Sequence, residues 1–146
     1  MKKLITTLLA LFLTTTASFS DVKLGIIIGF TGPIESLTPD MAAGAELAID
    51  EVNKSGSFSM GKVSGIRADS TCIDSSAATA AAERLITSDK VNGIMGADCS
   101  GVTTAILQQV ALANGMVMVS PSATSPALST VEDNNLFFRT APSDAR

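Results

Sequence analysis

Short apolar runs alternate along this chain with longer stretches whose apolar residues recur at helical spacing. Residues 22–29 (VKLGIIIG) are nearly continuous in apolar and β-branched residues, the pattern of a strand buried on both faces. Phe30-Thr31-Gly32-Pro33 breaks that run, and a polar loop leads to Thr38-Pro39-Asp40. Thr38 or Asp40 can cap a helix there, with Pro39 suited to its first turn. Residues 41–52 place Ala45, Ala48, Ile49 and Val52 on one helical face, and Asn53-Lys54-Ser55-Gly56 ends the pattern. The Gly/Ser-rich residues 57–64 predict a turn or small hairpin, and residues 66–71 a second strand finishing at Cys72. Asp74-Ser75-Ser76 caps an Ala-rich helix over residues 77–87. Residues 93–96, 116–120 (MVMVS) and 136–140 (LFFRT) read as three further strands, with a Pro-punctuated loop over residues 122–129.

Strand and helix alternating at this spacing predict an α/β fold: a mostly parallel sheet with helices on both faces. In such sheets ligands bind beyond the carboxyl ends of the strands. Three loops are expected there: Thr31-Gly32-Pro33, residues 98–101 and residues 120–124, all built from small hydroxyl residues, Gly and Pro. The middle one organises the chain. In VNGIMGADCSGVTTAILQQVAL (residues 91–112) a short strand runs into a turn carrying Cys99, Ser100 and Gly101, and then into a helix with Ser100 expected at its N-cap. Unpaired N–H groups, a hydroxyl and the helix dipole then converge on one point, which suits a carboxylate.

Composition narrows the function. The first residues read as a targeting segment (1–20): Lys2 and Lys3 form a basic head, Leu4 to Leu13 an apolar run, and Ala17-Ser18-Phe19-Ser20 a small-residue cleavage zone. The apolar run is short for a bilayer span, so no stable membrane insertion is expected after cleavage. Removing that segment takes two lysines and no acid, which moves the net charge from −4 to −6. Such a balance argues against a nucleic-acid partner or an anionic membrane surface. Cys72 and Cys99 in an exported chain are most simply one disulfide, the other possibility being two buried thiols. The chain has no His, which removes Ser-His-Asp and Cys-His catalysis and HExxH zinc sites. Neither a dinucleotide GxGxxG spacing nor a Walker A sequence is present. No enzyme activity, cofactor or metal is expected. The carboxylate pairs Asp50-Glu51 and Glu132-Asp133 read as solvated surface, Met95, Met116 and Met118 as packing, and Arg139 as one partner of an ion pair within the domain.

Taken together, VKLGIIIGFTGPIESL, AAGAELAIDEVNKSG, DSTCIDSSAATAAAERLI, GIMGADCSGVTTA, MVMVSPSATSPALS and FFRTAPSDA resemble the N-terminal lobe of the leucine/isoleucine/valine-binding protein family, the type I periplasmic solute-binding proteins of ABC importers. The resemblance covers nearly all of the mature chain, and its most specific parts are the two cysteines in context, Ser-Pro-x-Ala-Thr and Arg-Thr. It implies a venus-flytrap fold in which two lobes clamp a small ligand, here with residues 21–146 as the N-terminal lobe and the second lobe absent. It implies a Cys72–Cys99 disulfide that staples the binding turn. Ser100, beside Gly101, would take the ligand α-carboxylate through its hydroxyl and backbone N–H. Thr124 would assist in the same way, and Ser122 would offer its carbonyl to the ligand ammonium. Leu37 stands where branched-chain amino-acid binders tend to carry an aromatic, so an aliphatic amino acid, an amide or another small carboxylate all fit. The implied partner is an ABC permease in the inner membrane and the implied location the periplasm. An alternative is a ligand-sensing extracytoplasmic domain of a receptor with the same fold.

Overall fold

A computed structural model describes residues 20–145; the targeting segment expected over residues 1–20 lies, apart from Ser20, outside them. Five strands form one sheet: β1 (Val22–Ile28), β2 (Val63–Asp69), β3 (Gly93–Gly96), β4 (Met118–Ser120) and β5 (Phe137–Arg139). Their spatial order is β2-β1-β3-β4-β5, and all four pairings are parallel. The α/β reading holds, and the sheet is wholly parallel.

Ile26, Ile27 and Ile28 are fully buried, as a strand at the centre of a parallel sheet requires. They alternate between two cores. Ile27 packs with Leu85, Val102, Ile106 and Met118, beneath α2 (Ser75–Thr87) and α3 (Ser100–Ile106). Ile26 and Ile28 pack with Ala42, Met41, Ala45 and Ile49 of α1 (Thr38–Ser55) on the opposite face. The rod begun by α3 continues through a π-helical stretch (Leu107–Ala111) into α4 (Leu112–Asn114). Met116 and Met118 are core residues and Met95 packs against the α1 cluster, as expected.

Several boundaries move, each for a tertiary reason. β2 starts at Val63 rather than Ile66, because Val63, Ser64 and Gly65 pair with Val22, Lys23 and Leu24. That pairing rules out the hairpin alternative for residues 57–64. β2 stops at Asp69 rather than Thr71, since Thr71 and Cys72 take positive φ of 57° and 70°. α1 begins at Thr38, yet neither Thr38 nor Asp40 caps it: the Thr38 hydroxyl is buried and donates to the Gly29 carbonyl at 2.9 Å. Of the four apolar positions expected on one face of α1, Ala45 and Ile49 pack against the core while Ala48 and Val52 are exposed, and the fully buried residues are Thr38 and Ala42. α2 begins at Ser75, two residues earlier than expected, because Asp74 alone is the cap: its carboxylate accepts from the Ser76 and Ala77 N–H groups. At α3 the N-cap is Cys99, and Ser100 is the first helical residue.

One half of the sheet remains uncovered. Val117, Val119 and Phe138 are exposed on the α1 side, where no helix follows α1 across β3, β4 and β5 among the described residues. Beside them an apolar groove of about 450 Å³ runs between α1 and β1, lined by Leu24, Ile26, Ala45, Ile49, Val63 and Met95.

Candidate functional site

The strand order reverses between β1 and β3, so the crevice where ligands bind in open parallel sheets lies beyond the carboxyl ends of these two strands. The apolar groove is elsewhere, along the sheet face towards the amino ends of β1 and β2, and polar groups do not converge on it. The chemistry gathers at the carboxyl-edge loops, which cross-links and hydrogen bonds fasten in series.

The loop after β1 comes first. Gly32 has a φ of +98°, and a Cβ there would lie 2.3 Å from the Thr71 carbonyl oxygen, so only glycine lets this loop approach the next one. Asp69 then holds both: its carboxylate accepts from the Thr31 hydroxyl at 2.6 Å, the Thr31 N–H at 3.3 Å and the Thr71 N–H at 2.8 Å. Burial alone would raise the pKa of this carboxyl. The Thr31 hydroxyl and the N–H groups of Thr71, Thr31 and Phe30 together outweigh that effect and hold it below the ordinary carboxylate range. Next to it, the Arg67 guanidinium lies 5.2 Å from the Phe30 ring centre and grips Glu46 of α1 at 2.6 and 2.8 Å. The hydrogen bonds from Arg67 lower the Glu46 pKa.

From β2 the linkage passes to the central turn. Cys72 and Cys99 form a disulfide across 27 residues of sequence, with their Cα atoms 5.2 Å apart. The two successive left-handed residues, Thr71 and Cys72, carry the chain from the end of β2 into this bond. Asp98, immediately before Cys99, is a buried carboxylate with two donors: the Gly29 N–H at 2.8 Å and the Ser70 hydroxyl at 3.0 Å. Its own carbonyl accepts the Ser122 hydroxyl at 3.0 Å.

Ser100 completes the set. Its Oγ accepts the backbone N–H groups of Thr124 and Ser125, both at 3.1 Å. A serine hydroxyl has two lone pairs and one hydrogen, so these bonds use its acceptor capacity and leave O–H as a donor. The first intrahelical bond of α3 from this turn runs from the Thr103 N–H to the Cys99 carbonyl, so the N–H groups of Ser100, Gly101 and Val102 precede the ladder. Gly101 is exposed, and a Cβ there would meet nothing within 4 Å, so no side chain of its own shields that backbone.

The structure therefore brings Ser100, Gly101, Ser122 and Thr124 into one cluster beside the Cys72–Cys99 bond. Thr124 is more engaged than its sequence role implies. Its N–H goes to Ser100, and its hydroxyl donates to Asp144 at 2.8 Å, so that hydroxyl donates to a ligand carboxylate only by leaving Asp144. Leu37 stands apart on the β1–α1 loop, 63% exposed at the head of α1. Arg139 corrects an expectation: its partners are the carbonyls of Ala123 and Ser125 and the Ser129 hydroxyl, not a carboxylate. It braces the Ser122–Thr124 loop from below. Sequence reading passed over Asp69, Ser70 and Asp144, and treated Asp98 only as the start of a loop. Nothing in residue type separates these acids from solvated ones; the one signal was Asp98's place directly between an apolar strand and Cys99.

The periplasmic binding protein family matches residues 21–146. The chain belongs to this family. It is 31% identical over 130 residues to Leu/Ile/Val-binding protein homolog 3 of Brucella melitensis, a match that covers 89% of this chain and 34% of that protein. It is 29% identical to the Leu/Ile/Val-binding protein of Citrobacter freundii over 99% of this chain and 38% of the relative. Among solved structures it resembles the branched-chain amino acid transporter substrate binding protein of Streptococcus pneumoniae in complex with isoleucine, at a TM-score of 0.76 and 26% identity over 86% of this chain and 35% of that one. An ABC transporter substrate-binding protein of Desulfitobacterium hafniense, complexed with leucine, gives a TM-score of 0.73 at 27% identity over 86% of this chain and 35% of its own length. The chain thus spans about a third of the length of the relatives it matches, and these relatives are solute-binding proteins rather than enzymes. No helix among the described residues is long and apolar enough to cross a membrane.

Proposed function

We propose that residues 21–146 are the N-terminal lobe of a periplasmic solute-binding subunit of an ABC importer, exported by cleavage of residues 1–20. The lobe captures a small amino acid of branched-chain type, or a related carboxylate or amide, and hands it to an inner-membrane permease. The observation that carries this reading is the Ser100 hydroxyl, whose lone pairs are filled by Thr124 and Ser125 and whose hydrogen remains to donate, set beside the open backbone of Gly101. A group wired in this way recognises an acceptor, and a carboxylate is the strongest one a small metabolite carries. The likeness to proteins holding isoleucine and leucine supports the amino-acid part of the proposal. Ser100, Gly101 and Thr124 would face the carboxylate, Ser122 the ammonium through its carbonyl, and Leu37 the approach from the first loop. A second lobe beyond Arg146 would close on the ligand.

The test is calorimetric titration of the secreted two-lobed protein with leucine, isoleucine and valine, alongside a Ser100→Ala variant. The expected outcome is binding of at least one of them, weakened in the variant by about 1–3 kcal/mol. Unchanged affinity in Ser100→Ala would overturn the site. The coding DNA beyond residue 146 supplies the other half of the test: a second α/β lobe supports the importer subunit, and a membrane-spanning helix with a cytoplasmic domain replaces it with a sensor.

A further inference from the structure

Asp98 is the one carboxylate among the described residues that is fully enclosed, and the ligand chemistry proposed above makes no use of it. Both of its oxygens are engaged: one accepts the Gly29 N–H at 2.8 Å and the other the Ser70 hydroxyl at 3.0 Å. Each bond reaches a different strand end. Gly29 closes β1, Ser70 follows β2, and Asp98 itself follows β3; through its carbonyl it also holds Ser122, just beyond β4. The fit at Gly29 is close: a Cβ there would sit 3.2 Å from the Asp98 carboxylate and 3.3 Å from Cys72. Two residues further along the chain, Ser100 receives the Thr124 and Ser125 amides.

We propose that Asp98 is the positioning residue of this site: its buried carboxylate, without touching ligand, assembles the four strand-end loops so that Ser100 meets the Ser122–Ser125 loop in binding geometry. This rests on the reading of that cluster as the ligand's seat. The carboxylate's geometry dictates which substitutions work. In Asp98→Asn the amide oxygen must stay on the Gly29 N–H, which can only donate, and the NH₂ group then faces Ser70, whose hydroxyl can turn to accept. Asp98→Asn should therefore be tolerated. Asp98→Ala strands two buried donors, and the Asp98→Asn/Ser70→Ala double variant strands the new NH₂ group, so both should loosen the loops.

The experiment is amide hydrogen exchange by NMR on the ligand-free full chain, with leucine titration as a second arm on the same proteins. In Asp98→Ala the Thr124 and Ser125 amides should lose protection by about tenfold or more, the consequence of one unpaired buried donor. The Ile94 and Met118 amides of the sheet should hold theirs, and Asp98→Asn should stay near wild type. Unchanged Thr124 and Ser125 protection would overturn the proposal. An equal loss at Ile94 and Met118 would overturn it too, by reducing Asp98 to a general stabiliser. Where Asp98→Ala does not fold, the double variant gives the same readout against the two single ones. The arms separate the two claims. Loosened loops in Asp98→Ala, alongside a wild-type protein that binds no leucine, would sustain the positioning role and sink the binding reading. Tight leucine binding with unaltered loops in Asp98→Ala would do the reverse.

Discussion

Asp69 shows how a single exposed-edge acid contributes to a binding surface without standing in it. Its carboxylate accepts from Thr31 and Thr71, and these bonds overcome the cost of its partial burial and lower its pKa. The unfolded chain binds this proton more tightly than the folded one, with an ordinary value of about 3.9. The stabilisation is therefore complete above that value and is lost as pH falls through the lower folded-state value. Urea midpoints measured between pH 2 and pH 6 should fall on the acid side, and Asp69→Asn should flatten that limb. Identical acid limbs in the two proteins would refute the linkage. Ser100 teaches a related point. As a serine ahead of an apolar helix it reads as an N-cap, yet Cys99 takes that position, and the Ser100 hydroxyl turns outward to gather a neighbouring loop.

Among the elements, the carboxyl-edge loops form a chain of attachments running from β1 to the tail: Asp69, the disulfide, Asp98, Ser100, and Thr124 with Asp144. The disulfide is the covalent link in that series. Removing it in a Cys72→Ser/Cys99→Ser variant, or by reduction, should cost about 3–4 kcal/mol on the chain-entropy account for a loop of this length. Urea unfolding with and without reductant measures this directly, and coincident curves would show the bond to be thermodynamically idle. The helical spacing in α1 is half realised at the sheet: Ala45 and Ile49 pack with Ala42 against Ile26 and Ile28, while Ala48 and Val52 look onto the groove. Periodicity says which residues share a helix face; it does not say how wide a neighbour that face will find.

For the whole molecule, the open half of the sheet is the dominant feature. Parallel sheets are normally covered on both faces, and here Val117, Val119 and Phe138 are exposed together. The 146-residue chain on its own should bind a hydrophobic dye and self-associate through this face. Val119→Lys should raise the monomer fraction in sedimentation while changing unfolding stability by no more than about 0.5 kcal/mol. A monomeric, dye-silent wild-type lobe would contradict that expectation.

The alternation of strand and helix, the positions of β1 and β3, the Asp74 cap and the absence of imidazole chemistry could all be read from residue order, because each depends on local pattern or on composition. Ser100, Gly101, Ser122 and Thr124 were legible as a group because they lie on loops that parallel topology sends to one edge. What partnered what was decided only by tertiary structure. The extension of β2 to Val63 needed β1 beside it; the roles of Asp98 and Asp69 needed loops from three strands to meet around them. Thr124's engagement with Asp144 and Arg139's carbonyl partners follow from the same cause. A side-chain hydrogen bond between residues far apart in sequence leaves no periodic trace, since it requires only a donor and an acceptor that the fold happens to bring within about 3 Å.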